Sequence, residues 1–419
     1  MRGMSRSLAV KILFALVALG VLSTLAYRIP AINSRLYWRL DAARVYARRL
    51  LDPVEAVPTP LAASTAVTAA PSRTPTLTAT PTRTPSPTPG ATATPTPSPT
   101  PLPASVSLPA PEWERQDWNN CGPATLSMYL RFFGWQGDQY DISDLLKPER
   151  GDKNVNIEEL VYYVRTRAGW LNADFRVGGD IELLKRFLAY GLPVVIEEGY
   201  YAEESYYPND DRWLGHYLLL TAYDDATQTF TVQDTFLGPN RQLTYEKLDE
   251  GWKTFNRVYL FLYRPEQEAM IKEILGPQWD IDYNRQYALE LAQSEIDANP
   301  QDAFAWFNLG SNLVYFERWG EAARAYDEAR RIGLPQRMFR YQFGPFMAYF
   351  HSGRIDELMV LTEYALRITD NSEEALLWQG WGLYRQGDTA GALERFRAAL
   401  EANRFYQDAQ YAIEFVGGN

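Results

Sequence analysis

The chain has 419 residues, 46% of them hydrophobic and 14% aromatic, with 27 prolines, one cysteine (Cys121) and two histidines, His216 and His351. Its formal net charge of −11 is unevenly spread: residues 1–52 carry +7, residues 53–111 carry +1 and residues 112–419 carry −19. The acidic globular part excludes nucleic acid as the partner, because phosphate binding needs clustered Lys and Arg; a single cysteine excludes an internal disulfide, and one thiol with two distant histidines offers no metal ligand cluster, so neither metal nor cofactor is expected.

In chain order, residues 1–30 are expected to form a membrane signal-anchor. Ile12 to Tyr27 (ILFALVALGVLSTLAY) is uncharged and mostly apolar, and Leu8–Val10 extends the run across Lys11 to about the ~20 residues that span a bilayer. A signal peptide cut after Thr24-Leu25-Ala26 is the competing reading, and length favours the anchor. Residues 31–52, with SRLYWRLDAARVYARRLL at 34–51, read as a basic amphipathic juxtamembrane helix suited to an anionic membrane surface. Residues 53–111 are dominated by Pro, Thr, Ser and Ala and have almost nothing to bury, so a disordered linker with polyproline character is expected. Fully extended it would reach ~180 Å. The basic flank at Arg28–Arg49 taken alone would put the C-terminal part of the chain in the cytoplasm. The Pro/Thr stalk argues for a globular part outside it, and the stalk is given more weight.

Residues 112–265 are mixed. Helices are expected at Gly122–Phe133, Ile157–Arg167 and Ile181–Tyr190, and strands at Leu192–Glu197, His216–Tyr223, Thr229–Gln233 and Val258–Tyr263. Helices first and strands later point to an α+β domain. After a connector at 266–282, residues 283–419 are helical and repetitive. Aligning Gly310 with Gly380 pairs Ala322 with Ala392, Tyr326 with Phe396 and Ala329 with Ala399, an offset of 70 that is twice the period of a helix–turn–helix solenoid. A degenerate middle copy holds Tyr349, Gly353, Leu358 and Ala365, an incomplete unit (Tyr283–Pro300) precedes the first copy, and Phe405–Val416 reads as a capping helix. Trp306, Leu309, Gly310, Ala322 and Tyr326 resemble the tetratricopeptide repeat pattern. That resemblance implies an all-α solenoid recruiting a protein or peptide in its concave face.

The chemistry-bearing residues lie in the mixed part. Cys121 stands at the mouth of a helix that Asn119 or Asn120 can cap, with Pro123 in the first turn and Leu126, Leu130 and Phe133 as its apolar stripe. A thiol there feels a positive partial charge that favours the thiolate; the bland alternative is a small core cysteine. His216 opens the apolar run Gly215-His-Tyr-Leu-Leu-Leu-Thr-Ala-Tyr. A hairpin turning at residue 225 or 226 sets Asp234 opposite or diagonal to it. Taken alone, Asp234 reads better as a strand-end turn residue, and Asp224 and Asp225 as turn formers. His351, at an inter-helix turn, reads as surface packing.

Cys-Gly-Pro-Ala on a helix, Gly-His-Tyr before aliphatics and an Asp on the next strand resemble the peptidase C39-like family, a papain-like branch of the cysteine peptidases, over roughly 112–265. The resemblance implies Cys121 as nucleophile, His216 as general base and acid, Asp234 as orienting carboxylate, and Gln116 as an oxyanion donor beside the Cys121 N–H. The family's glutamine often lies six residues before the cysteine; Gln116 lies five before, and Arg115 cannot serve as a neutral donor. No G-x-x-x-x-G-K-[ST] loop occurs, so cleavage after a double glycine in an ATP-driven transporter is not carried over. The expected activity is that of a membrane-anchored cysteine peptidase acting on a peptide or protein. A thiol acyltransferase using the same triad and a non-catalytic peptide-binding protein are the alternatives.

Overall fold

The computed structural model describes residues 6–27, 30–61, 101–149, 151, 153–205 and 208–417. The N-terminal apolar run lies within one 22-residue helix, α1 (Arg6–Tyr27). Several of its side chains lie outside the described residues, and among the described residues no helix is long and apolar enough to cross a membrane. The basic helix α2 (Pro30–Leu51) does not present its charges to solvent alone. Arg44 and Arg48 pair with Asp370 at 3.0 Å each, Val45 is buried, and Arg367 pairs with Asp52 at 2.8 Å. A helix expected to seek an anionic surface thus finds carboxylates on the acidic C-terminal part.

Most of the expected linker, 62–100, lies outside the described residues. Its two ends are ordered by contacts that the Pro/Thr composition concealed. Val54 and Val57 are buried, the Tyr364 hydroxyl donates to the Glu55 carbonyl at 3.1 Å, and the buried Arg330 donates to the carbonyls of Pro58 (2.9 Å) and Thr59 (3.1 Å). At the other end β1 (Ser105–Ser107) joins the sheet.

The α+β part runs α3 (Cys121–Phe132), α4 (Gln139–Leu146), α5 (Ile157–Arg167), β2 (Asn172–Arg176), α6 (Ile181–Ala189), β3 (Val194–Tyr201), β4 (Trp213–Asp224), β5 (Thr229–Asp234), β6 (Gly238–Thr244), α7 (Tyr245–Lys253), β7 (Tyr259–Tyr263) and α8 (Glu268–Leu275). The strands form one antiparallel sheet in the order β2-β7-β3-β4-β5-β6, with β1 also on β4. Period-two alternation buries both faces. Val195, Leu219, Leu260 and Leu262 pack with α3 and α5; Val194, Ile196, Leu218, Leu220 and Phe261 pack with α6 and α8. The stretch 266–282, expected as a connector, is therefore part of the core: Ile271, Ile274 and Leu275 of α8 are buried, and Arg186 of α6 donates to the Ile274 carbonyl at 2.7 Å.

The helical region comprises α9 (Ile281–Ala298), α10 (Ala303–Tyr315), α11 (Trp319–Ile332), α12 (Gly344–His351), α13 (Ile355–Ile368), α14 (Glu373–Arg385), α15 (Thr389–Ala402) and α16 (Gln407–Gly417). Gly310 and Gly380 occupy the same place in their pairs, each facing a ring (Tyr326 and Phe396) that leaves no room for a side chain. His351 stacks on Trp319 with ring centroids 4.3 Å apart. Two polar junctions bind this region to the α+β part. The buried Lys153 Nζ bonds both oxygens of Glu373 (3.0 and 2.9 Å) and the Ala402 carbonyl, while Asn156 Nδ2 donates to Glu374. On α9, the buried Asn284 side chain exchanges two hydrogen bonds with the Val177 backbone. Trp213 stacks on Phe255 (5.8 Å) and on Phe304 of α10 (6.3 Å), giving the seam an apolar centre.

Candidate active site

Helix α3 begins at Cys121, where the chain leaves a left-handed Asn119 (φ 50°), a conformation asparagine tolerates better than most residues. Asn120 is the N-cap residue, but its side chain makes no capping bond and donates instead to Gln139 Oε1 at 2.8 Å. The buried Gln139 also accepts from the Asp117 N–H (2.7 Å) and donates to Glu114 Oε1 and the Arg115 carbonyl, both at 2.9 Å. One amide of α4 thus fixes the whole segment 114–120 that carries Gln116 up to the thiol. The first turn of α3 is locked onto β4: Thr125 Oγ1 donates to the Tyr217 carbonyl, and the Tyr217 ring packs where a Cβ on Gly122 would lie.

The β4–β5 register places Leu218 opposite Asp234, so Asp234 stands diagonal to His216. His216 Nε2 lies 2.9 Å from Asp234 Oδ1, which leaves Nδ1 as the ring nitrogen to serve the Cys121 thiol that lines the same cleft. Asp234 Oδ1 further accepts from the N–H groups of Phe236 (2.8 Å) and Leu237 (2.9 Å), and Oδ2 accepts from Arg241 Nη1 at 2.9 Å. Cys121, His216 and Gln116 line one cleft of ≈ 300 Å³, and Asp234 is buried behind the imidazole. Gln116 is held to β5 by two bonds: its N–H donates to the Thr235 carbonyl (2.9 Å), and its Oε1 accepts from Thr235 Oγ1 (2.8 Å). With the carbonyl end pinned, Nε2 is the end available to a bound oxygen.

Electrostatics separate the charges. Burial works against the Cys121 thiolate, yet the hydrogen bond and charge of His216, a backbone hydrogen bond from Tyr217 and the nearby Lys147 outweigh it and hold the thiol below its ordinary value. Burial likewise works against an imidazolium, but Asp234 and Cys121 raise His216 to about 10. Asp234, despite its burial, is held well below the usual carboxylate range by His216 and by the two backbone N–H groups. The three shifts run in the direction of a thiolate–imidazolium pair backed by a carboxylate. Glu197 and Glu198 of β3 pair across the sheet with Tyr217 and His216. Burial raises Glu197 well above its ordinary range and Glu198 to about 7, which disfavours a second negative charge beside the thiol. Among the described residues no group of three His, Cys, Asp or Glu side chains could hold a metal ion.

Gln139, Lys147, Glu197, Glu198 and Arg241 shape this site without any signature in the sequence, because each reaches it by way of the tertiary fold. The cleft also contains residues from the helical region. Arg337, Arg340 and Tyr341, in and beside a 3-10 turn (Met338–Arg340) between α11 and α12, line it together with Arg115 of the α+β part.

With this geometry established, known proteins offer a comparison. Residues 108–261 match the Peptidase_C39 like family. That match covers most of the sheet, from β2 into β7, and all of Gln116, Cys121, His216 and Asp234. No curated protein matches the chain. Solved structures similar to parts of it include a C39-like peptidase from Bacillus anthracis (16% identity, 38% of this chain and 98% of that one, TM-score 0.32). Xylellain, a cysteine protease from Xylella fastidiosa, is 14% identical over 39% of this chain and 87% of that one (TM-score 0.31). YrrB, a TPR protein with an unusual peptide-binding site, is 21% identical over 32% of this chain and 68% of that one (TM-score 0.28).

Proposed function

We propose that the chain is a cysteine peptidase whose Cys121 thiolate attacks a peptide carbonyl. The observation that carries the reading is that Asp234 hydrogen-bonds His216 at 2.9 Å while His216 shares one cleft with Cys121 at the start of α3. The match of residues 108–261 to the Peptidase_C39 like family supports it.

In this reading Sγ forms a bond to the carbonyl carbon, and the carbonyl oxygen becomes an oxyanion facing the Cys121 N–H and Gln116 Nε2. As the intermediate collapses, the His216 imidazolium gives its Nδ1 proton to the departing amine, leaving an acyl-thioester on Cys121. The now neutral imidazole takes a proton from water, hydroxide attacks the thioester, and the acid product leaves as thiolate and imidazolium re-form. Asp234 holds Nε2 throughout and stays anionic. The helical region supplies one wall of the cleft and the recruitment surface for the substrate. Membrane attachment through residues 1–30 rests on the apolar sequence run Ile12–Tyr27 alone, and the Pro/Thr stretch argues for a globular part outside the cytoplasm; carbonate extraction of membranes and protease treatment of intact cells test both.

The pH dependence of Cys121 alkylation by iodoacetamide, in the parent and in His216→Ala, tests the site. The parent should react with an apparent pKa below that of free cysteine, and His216→Ala should lose that depression. In parallel, a library of internally quenched peptides should be cleaved by the parent and not by Cys121→Ala, and Gln116→Ala should lower kcat by roughly 10²-fold or more. A thiol with ordinary reactivity, indifferent to His216→Ala, would sink the catalytic reading and leave a peptide-binding protein. Transfer of the acyl group to an added amine in preference to water would turn the reading to acyl transfer.

A further inference from the structure

We propose that a second cavity, on the Asp234 side of His216, receives a bulky apolar side chain of the substrate, that of the residue on the amine side of the bond cleaved. This deepens the peptidase reading and rests on it.

The second cavity measures ≈ 430 Å³, against ≈ 300 Å³ for the cleft at Cys121. His216 and Tyr200 line both, with their rings edge-on and 5.9 Å apart, so the two spaces meet at this pair. Cys121 and Gln116 border the cleft alone, and Asp234 borders the second cavity alone. That division gives the cavity a place along a bound peptide. With the carbonyl carbon at Sγ and its oxygen toward Gln116, the departing amine must face the imidazole that protonates it. The chain beyond that amine leaves on the His216 side, and the first side chain past the bond is the one within reach of the cavity.

The walls set what fits. Trp213 and Leu218 of β4, Val232 of β5, Leu237 before β6, Leu243 of β6 and Phe304 of α10 make the lining predominantly apolar, so both the α+β part and the helical region build it. Helix α7 closes one side: a Cβ on Gly251 would stand 3.0 Å from Glu198 Oε2 and from the Gly199 carbonyl, so glycine there lets α7 lie on β3. The charged groups give the cavity no single sign. Asp234 is bonded to His216 and to Arg241 at 2.9 Å each, Lys247 and Glu250 are exposed, and burial raises Glu198 to about 7, which disfavours its charge. Exposed Tyr201 and Leu237 carry the apolar lining out to solvent. A concave, mostly apolar space of this size holds an aromatic or branched aliphatic side chain, whereas a charged one would lose its hydration there.

Internally quenched peptides carrying Phe, Leu, Ala or Asp immediately after the cleaved bond, and a second set varying the residue before it, test this on the full chain. They are compared by kcat/KM, with the cut located by mass spectrometry. Phe and Leu after the bond should exceed Ala by about tenfold or more, as apolar groups in such a pocket do, and Asp should be the poorest. Leu243→Asp, which sets a charge in the wall, should lower the Phe-to-Ala ratio about tenfold. Tyr201→Ala, at a position 62% exposed and so without consequence for folding, should lower it in the same direction. The Ala peptide normalises any change in folding or thiol reactivity. Equal turnover of the four peptides, an apolar preference that falls on the residue before the bond, or a ratio unchanged in both variants overturns the proposal while leaving the peptidase reading intact. If no peptide is cut, the peptidase reading fails and the assignment of this cavity fails with it.

Discussion

Asp234 binds His216 and two backbone N–H groups through one oxygen and Arg241 through the other, so its charge is fixed on every side. That charge is much of what raises His216 to about 10. Replacing it with the neutral amide in Asp234→Asn removes the partner that favours the imidazolium, so the His216 value must fall. A bell-shaped kcat/KM profile rises as Cys121 ionises and falls as His216 loses its proton, so its alkaline limb should move to lower pH in the variant. Activity at pH 8 should drop by roughly 10²–10⁴-fold, as for other triads losing their carboxylate. A full pH profile checks this, and an alkaline limb that stays near its parent position would remove Asp234 from the mechanism. At this scale the sequence was informative where chemistry is scarce. Cys121 is the sole thiol, and His216 is the one histidine at the head of an apolar strand. Gln139, Lys147 and Arg241 could not be found that way, since glutamine, lysine and arginine are common and only tertiary structure makes these three special.

Elements were legible in proportion to their periodicity. Helix α5 spans the residues its apolar spacing marks, Ile157–Arg167, and β5 ends one residue beyond expectation, at Asp234. Strand β6 (GPNRQLT) is mostly exposed and polar and belongs to the edge of the sheet, so neither composition nor alternation announced it. The short helices α4 and α7 start at caps, Asp138 and Thr244, and each buries a single i, i+4 apolar pair, Ile142 with Leu146 and Leu248 with Trp252, too little to announce a helix in sequence. In the repeats, paired glycines and rings gave the period, and the same pairs should govern stability. A Gly→Ala change inside a helix ordinarily gains up to ~1 kcal/mol of propensity. At Gly310 the new methyl would stand 2.7 Å from the Tyr326 ring, which is wholly buried and whose hydroxyl lies 3.1 Å from Ser311 Oγ. Overpacking of that kind costs about 1–3 kcal/mol and outweighs the gain. Gly310→Ala should therefore lower the thermal midpoint of the repeats, and a melt followed by circular dichroism will show it; an unchanged or higher midpoint would mean that the ring yields freely.

For the whole molecule, what the sequence concealed was how its parts meet. Composition separates an apolar helix, a Pro/Thr stretch, a mixed domain and repeats, but no pattern reveals that Lys153 anchors Glu373 or that Tyr341 packs against Gly215, because such contacts join residues more than a hundred positions apart. The N-terminal contacts belong to the same class. Helix α2 and residues 53–61 are held on the repeats by Asp370, Arg367, Arg330 and Tyr364, and Leu61 N–H donates to Glu357 at 2.7 Å. Introducing a specific protease site between residues 62 and 100 and cutting there should leave both fragments co-eluting on size exclusion, separating only in denaturant; an N-terminal fragment that elutes alone would show this docking to be too weak to matter. The chain is tied to the repeats up to Leu61 and to the sheet again at β1, so both described ends of the stretch between them are fixed. Its ends stay where the folded parts put them, so the ~180 Å of reach that its composition would allow sets nothing about how far the cleft can range from α2. Doubling the length of a segment between two fixed ends costs only about 0.6 kcal/mol, which leaves that length free to drift while the position of the cleft holds.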